Sequence, residues 1–242
     1  MTTLAENLEA VRGTIADAAA RSGRDMAEIE LVAVSKAHPP EAVHEALDAG
    51  QLLFGESRVQ EARAKIPMLP GRARWHFIGH LQKNKVRHAL PLFELFHGID
   101  SLELARDVNR IAEEAGAFPK VLLEVNVAGE STKFGFTSER TSVEMEDLLA
   151  LDRIQIEGLM TIAPFASEAE PSRPYFAALR ELRDRLQTKF RVPLPRLSMG
   201  MSGDYAVAIE EGATLVRVGT AIFGKRSGKG WRPAGESGMG DD

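Results

Sequence analysis

The sequence contains no cysteine, which excludes disulfides, thiolate metal sites and cysteine nucleophiles. It has no apolar stretch as long as the ~18 residues that a membrane-spanning helix requires. The N-terminus lacks the basic and apolar regions of a secretory signal. A net charge of −5 over 242 residues argues against nucleic-acid binding through bulk charge. We therefore expect a cytoplasmic globular protein that partners neither a membrane nor a nucleic acid.

What the sequence does contain is an alternation of short apolar segments with helical patterns. The predicted strands cover residues 30–36, 51–55, 74–79, 94–99, 120–128, 154–162, 196–201 and 214–218. Eight strands followed by helices most simply predict a parallel (β/α)8 TIM barrel in one domain, of class α/β. An open doubly wound sheet is the alternative, although no G-x-G-x-x-G follows the first strand.

The helices between these strands are predicted from apolar periodicity and glycine caps. They cover residues 40–49, 57–65, 85–90, 101–115, 138–150, 174–190 and 204–211, another starts at Thr220, and an extra N-terminal helix spans 3–21. We expect the barrel domain to occupy residues 1–226. The glycine-rich, polar tail at 227–242 is expected to be disordered.

A lysine stands at the end of the first predicted strand. Residues 31–36 read Leu-Val-Ala-Val-Ser-Lys, and a helix opens on proline shortly afterwards. Partial desolvation at the carboxyl end of a barrel strand favours a neutral amine, which is a nucleophile toward carbonyls. Lys36 is therefore a candidate for covalent binding. The alternative is a lysine that reaches to solvent and pairs with a helix acid.

The loops after the last two strands suit an anion. Ser202 follows the seventh strand, and Gly219 and Thr220 follow the eighth. Barrels commonly build a phosphate site from these two loops, in which backbone amides open a short helix. Two tight turns whose glycines serve packing are the alternative. Arg217, on the eighth strand, is expected either to face a ligand ring or to pair with an acid such as Glu124.

An amine and an anion site together suggest pyridoxal 5'-phosphate, which carries an aldehyde and a phosphate on one ring. Two other features are less specific. His76 and His80 are interpreted as hydrogen-bonded histidines, because the spacing supplies no third metal ligand. The loop at 126–135 contains Lys133 and is either a lid that carries a second amine or a flexible connection.

At this point the chain resembles the pyridoxal phosphate homeostasis protein family, which is similar to the alanine racemase N-terminal domain. The resemblance extends from about residue 30 to residue 226 and is carried by segments 32–36, 54–56, 59–61, 75–85, 157–160, 197–204 and 216–224. It implies a barrel that holds the cofactor as an aldimine on Lys36 and buffers or delivers it in vitamin B6 homeostasis. It also implies no established catalytic turnover. Ser57 departs from the family pattern, which usually has asparagine there.

A pyridoxal-phosphate-dependent racemase is the alternative function. Racemisation needs a proton carrier on each face of the substrate, and Lys36 could serve one. In racemases of similar fold the other is a tyrosine from a second domain of the partner subunit, which we expect this chain to lack. Its two tyrosines are Tyr175 and Tyr205, and Tyr205 could approach the site. A barrel aldolase or phosphatase that uses Lys36 is a third hypothesis. We favour a monomeric, non-enzymatic carrier that passes its cofactor to apo-enzymes.

Overall fold

A closed barrel of eight parallel strands in sequence order forms the centre of the computed structural model, which describes residues 2–130, 132–224 and Trp231. The strands are β1 Glu30–Val34, β2 Leu53–Glu56, β3 Arg74–Phe77, β4 Leu95–Ile99, β5 Lys120–Glu124, β6 Gln155–Met160, β7 Arg196–Ser198 and β8 Leu215–Val218. β8 pairs with β1 and closes the barrel. The predicted TIM barrel is confirmed, and the open doubly wound sheet is wrong.

Helices surround the strands and follow the predicted order. They are α1 Leu4–Arg21, α2 Pro40–Asp48, α3 Val59–Lys65, α4 Val86–Ala89, α5 Leu102–Ala115, α6 Ser138–Leu149, α7 Arg173–Phe190, α8 Tyr205–Glu210 and α9 Thr220–Phe223. Short 3-10 turns lie at Met26–Glu28, Ile66–Met68, Lys83–Lys85 and Glu170–Ser172. A capping box between Thr3 and Glu6 starts α1, because each side chain accepts from a backbone N–H that the helix leaves unpaired.

Several predicted elements are longer than the observed ones. The strand predicted at 196–201 ends at Ser198, since Gly200 has a φ of 90° and turns the chain away from the sheet. The strand predicted at 30–36 ends at Val34, and Ala37 has a φ of 63°. The helix predicted at 85–90 is a 3-10 turn followed by the four residues of α4.

The barrel interior contains an apolar layer, and its amino-terminal end is ionic. The apolar layer consists of Val32, Leu53, Leu95, Leu122, Met160 and Leu215. Below it, Arg196 bridges Glu30 and Glu157, and Arg74 also pairs with Glu30. This ionic layer occupies the amino-terminal ends of the strands, so the opposite end, where the strands finish, carries the candidate site.

The prediction for the tail concerns residues 227–242, of which only Trp231 belongs to the described part of the chain. Trp231 donates its backbone N–H to the carbonyl of Ala37 at 2.8 Å. Among the described residues, no helix is both long enough and apolar enough to cross a membrane.

Candidate functional site

The first and last strands bring the two candidate motifs together. β1 and β8 are neighbours, and Ala33 pairs with Val218. Lys36, half-buried, lies two residues beyond β1, and Gly219 follows β8 directly. A Cβ added at Gly219 would lie 3.3 Å from both the Cβ and the carbonyl oxygen of Val34. Closure of the barrel therefore places the lysine and the predicted anion site at one end of adjacent strands.

Three residues form what we call the anion cradle: Ser202, Gly219 and Ala221. The Ser202 hydroxyl oxygen accepts from the backbone N–H groups of Gly219 at 3.2 Å and of Ala221 at 3.4 Å. These amides converge on one oxygen at the start of α9. Thr220, between them, is exposed and presents a further hydroxyl. A set of amide and hydroxyl donors at one point suits a phosphate.

The loop before α8 holds Ser202 in position. Gly200 has a φ of 90°, and a Cβ there would lie 2.6 Å from the Cβ of Ala208. Only glycine combines this left-handed conformation with so close an approach to a helix. The Asp204 carboxylate accepts from the Met201 N–H at 2.7 Å. The loop therefore has a defined shape that presents Ser202 to the amides after β8.

Arg217 points into the barrel and is almost fully buried. Its guanidinium donates to the Ser198 hydroxyl and, at 2.9 Å, to the carbonyl of Thr161. Burial lowers the pKa of Arg217 to about 10, against the opposing attraction of Glu124 and Asp204. Arg217 is thus a cation at neutral pH. Glu124, one of the two predicted partners, acts on Arg217 electrostatically.

Two buried histidines extend the hydrogen bonds of Arg217 through the barrel. His97 Nδ1 lies 2.8 Å from the Ser198 hydroxyl, and His97 Nε2 lies 3.0 Å from His76 Nδ1. Arg217 can only donate, so the Ser198 hydroxyl oxygen accepts from it, and Ser198 and the two rings form one hydrogen-bonded chain. Burial lowers the pKa of His76 to about 3 and that of His97 well below its usual value. Both rings are therefore neutral and fix the orientation of Ser198.

His76 and His80 occupy different environments in the structure. His76 lies inside the barrel, whereas His80 follows β3 and pairs with Asp100 at 2.9 Å. The Phe134 ring stacks on His80 with centroids 4.1 Å apart. Lys133, the suggested second amine, pairs with Glu130 at 2.5 Å. Phe134 therefore brings its loop against His80, three residues after the end of β3.

Sequence reasoning missed a buried charge cluster beside Lys36, formed by Glu56, Glu61 and Lys65. The ammonium of Lys65 lies 2.7 Å from a carboxylate oxygen of each glutamate. Burial raises the pKa of Glu56 to about 7, an effect that Lys65 opposes and Glu61 reinforces. The i, i+4 spacing of Glu61 and Lys65 on α3 was the available signal, but such pairs usually lie in solvent.

Tyr205 bears on the racemase hypothesis, and Ser57 is the residue that departs from the family pattern. Tyr205, the first residue of α8, is buried and belongs to the hydrophobic core. Ser57 is half-buried after β2, and its backbone approaches β3 so closely that a Cβ at Gly79 would lie 2.3 Å from its carbonyl oxygen.

Comparisons with known proteins match almost the whole chain. The family model described as alanine racemase, N-terminal domain, matches residues 7–227. A pyridoxal phosphate homeostasis protein of Aquifex aeolicus is 45% identical over 222 residues, covering 91% of this chain and 97% of the relative. PipY of Synechococcus elongatus, solved with PLP bound, is 39% identical with a TM-score of 0.80, covering 92% of this chain and 100% of PipY.

A more distant likeness concerns the fold alone. An alanine racemase of Clostridium difficile 630 is 18% identical with a TM-score of 0.71, and the match covers 93% of this chain and 57% of the racemase. At that identity the likeness extends to the barrel and carries no statement about activity.

Proposed function

Because this chain belongs to the pyridoxal phosphate homeostasis proteins of the alanine racemase N-terminal domain family, we propose that it binds pyridoxal 5'-phosphate and buffers or delivers it. The proposal rests on the pairing of β1 with β8, because this pairing brings Lys36 and the anion cradle to the same end of the barrel. The cofactor needs an amine and a phosphate site at one end of one barrel, and the pairing of β1 with β8 supports this assignment.

The donor set fits the cofactor group by group. Lys36 supplies the amine that would bind the aldehyde. Ser202, Gly219 and Thr220 supply hydroxyl and amide donors for the phosphate. Arg217 would donate to the ring nitrogen. When bound, pyridoxal phosphate supplies an aldehyde that exchanges between amines and a ring that can draw electrons from the attached carbon.

Two features support a carrier over a racemase. Arg217 keeps its proton at neutral pH, so a ring nitrogen facing it accepts a hydrogen bond and remains unprotonated, which weakens electron withdrawal. Tyr205, the tyrosine considered for the second face, packs in the hydrophobic core. Lys36 would therefore hold a protected aldehyde rather than take part in two-sided proton transfer.

We further propose that the recipients are apo-enzymes in the cytoplasm and that the carrier is a monomer. Recipients of this kind fit the chemistry, because an aldehyde held on one lysine can pass to another amine by exchange. Light scattering during size-exclusion chromatography would show a mass near the 26.4 kDa of the chain. A dimer at micromolar concentration would contradict the monomer.

Titration with pyridoxal phosphate tests the proposed function. Wild-type protein is expected to gain visible absorbance with saturation at one cofactor per chain. Lys36→Ala should abolish this absorbance while its circular dichroism stays unchanged. Lys133→Ala is the matched control, because it removes another amine from the same end of the barrel and should leave the absorbance intact. Unchanged absorbance in Lys36→Ala would contradict the assignment.

A further inference from the structure

We propose that the buried charge cluster of Glu56, Glu61 and Lys65 is a positioning device, which holds the backbone on both sides of Lys36 so that its amine meets the cofactor's aldehyde. This inference rests on the proposed function, since it concerns the lysine assigned there. All three side chains of the cluster are buried. Its members act through Lys36, so they are positioning residues and not catalytic ones.

The cluster contacts Ser35, the residue before Lys36, through two hydrogen bonds. The Ser35 hydroxyl donates to Glu56 at 2.6 Å, and Lys65 donates to the Ser35 carbonyl at 3.0 Å. Lys65 also donates to Glu56 at 2.7 Å. Ser35, Glu56 and Lys65 are all fully buried. Solvent therefore cannot replace these bonds, and they hold the backbone in place directly before Lys36.

The cluster also contacts the residue after Lys36. A carboxylate oxygen of Glu61 accepts from the N–H of Ala37 at 2.6 Å and from Lys65 at 2.7 Å. Ala37 has a φ of 63°, a left-handed conformation that costs a non-glycine residue roughly 1 kcal/mol or more. Its carbonyl accepts from Trp231. Bonds at both its N–H and its C=O therefore stabilise a strained residue next to the reactive lysine.

Stability alone gives no reason for such a cluster. Buried ion pairs are often no more stabilising than apolar side chains of the same volume, because desolvation offsets their attraction. Here one oxygen of Glu56 has no hydrogen-bond partner in the described part of the chain. The polar atoms that are satisfied converge on the two peptide units around Lys36. Positioning of that lysine accounts for this arrangement.

The test compares two probes that differ in the aldehyde. Pyridoxal phosphate can form a bond with the Lys36 amine, with loss of one water molecule, whereas pyridoxine 5'-phosphate has the same ring and phosphate but an alcohol in that place. Glu61→Ala removes the acceptor for Ala37 and leaves Glu56 paired with Lys65. It should weaken pyridoxal phosphate binding at least tenfold, and pyridoxine phosphate binding less than twofold.

Three further variants complete the design. Glu61→Gln keeps an acceptor oxygen and should hold pyridoxal phosphate affinity within about threefold of wild type. A requirement for the negative charge of Glu61 would instead give a larger loss. Glu157→Ala is the control, because Glu157 is also buried and bridges Arg196 and Lys120 at the other end of the barrel. It should leave both affinities unchanged. Ser35→Ala removes fewer atoms and should weaken the binding of pyridoxal phosphate only. It replaces Glu61→Ala in the test if that variant does not fold.

Each remaining outcome overturns the proposal. Equal weakening of both probes in Glu61→Ala would mean that the cluster supports the whole site rather than Lys36. Unchanged binding of both probes in a folded Glu61→Ala or Ser35→Ala variant would mean that Lys36 needs no such support. Failure of the wild-type protein to bind either probe would instead refute the proposed function, and the inference with it.

Discussion

At the scale of single residues, the anion cradle depends on the absence of a side chain at Gly219. Its amide and that of Ala221 already converge on the Ser202 hydroxyl, and Val34 leaves little space at the glycine. Hydrogen bonds to a charged group contribute about 1.5–3 kcal/mol each, so losing one weakens binding by roughly ten- to a hundredfold. A change at Gly219 should therefore act on phosphate affinity first.

Gly219→Asp is expected to weaken pyridoxal phosphate binding at least a hundredfold, because it adds a negative charge where the phosphate would sit. Equilibrium titration measures this loss. Gly219→Ala separates crowding by Val34 from charge and should have a smaller effect. Gly71→Asp adds the same charge at an exposed glycine with open space around it and should leave affinity unchanged. Wild-type affinity in Gly219→Asp would place the phosphate elsewhere.

At the scale of elements, the pairing of β6 with β7 sets where the loop that carries Ser202 begins. Gly158 of β6 pairs with Arg196 of β7, and a Cβ at Gly158 would lie 1.9 Å from the Arg196 carbonyl oxygen. No rotamer change relieves a contact with backbone. The two strands would have to separate to admit any other residue.

Gly158→Ala should lower the free energy of unfolding by about 1–3 kcal/mol or more, as overpacking does in well-packed interiors. Urea denaturation measures this change. The matched control is Gly13→Ala in the middle of α1, where a Cβ meets nothing within 4 Å. That change should stabilise the protein by roughly 0.5–1 kcal/mol, since alanine favours helix over glycine. Equal effects of the two substitutions would contradict the strand contact.

The elements also show which features a sequence can reveal. Lys36, Ser202 and Gly219 were predictable because a residue that follows a strand lies at the carboxyl end of the barrel. The burial of Lys65 was not, because lysine on a helix is normally exposed and its partner, the Ser35 carbonyl, lies directly after β1, far away in the sequence. The contact between His76 and His97 depends on the register of β3 and β4, which spacing alone does not specify.

At the scale of the whole molecule, buried ionisable groups make stability depend on pH in opposing ways. His76 and His97 are held neutral by burial, so their contribution is present above the usual histidine pKa and lost as pH falls. Burial, with repulsion from Asp100, raises the pKa of Glu124 to about 7 despite the attraction of Arg217. The contribution of Glu124 to folding stability is therefore present below the usual pKa of glutamate and is lost as pH rises through about 7.

Glu124→Gln should therefore gain stability relative to wild type as pH rises from about 4.5 to 7, by up to about 1.4 kcal/mol per pH unit. Urea denaturation at a series of pH values measures the difference. The control, Glu113→Gln, changes an exposed carboxylate. Its free energy of unfolding should differ from that of wild type by a constant amount over the upper half of this pH range. Parallel curves for Glu124→Gln and wild type would show that this carboxyl ionises normally.

The most direct measurement of the central claim is chemical trapping of the cofactor on the whole protein. Sodium borohydride reduces the carbon–nitrogen bond between an aldehyde and an amine, so it fixes pyridoxal phosphate permanently to the residue that holds it. Proteolysis and mass spectrometry then identify that residue. We predict one label per chain, on Lys36. A label on Lys133 or another lysine, or no label in protein incubated with the cofactor, would contradict the account.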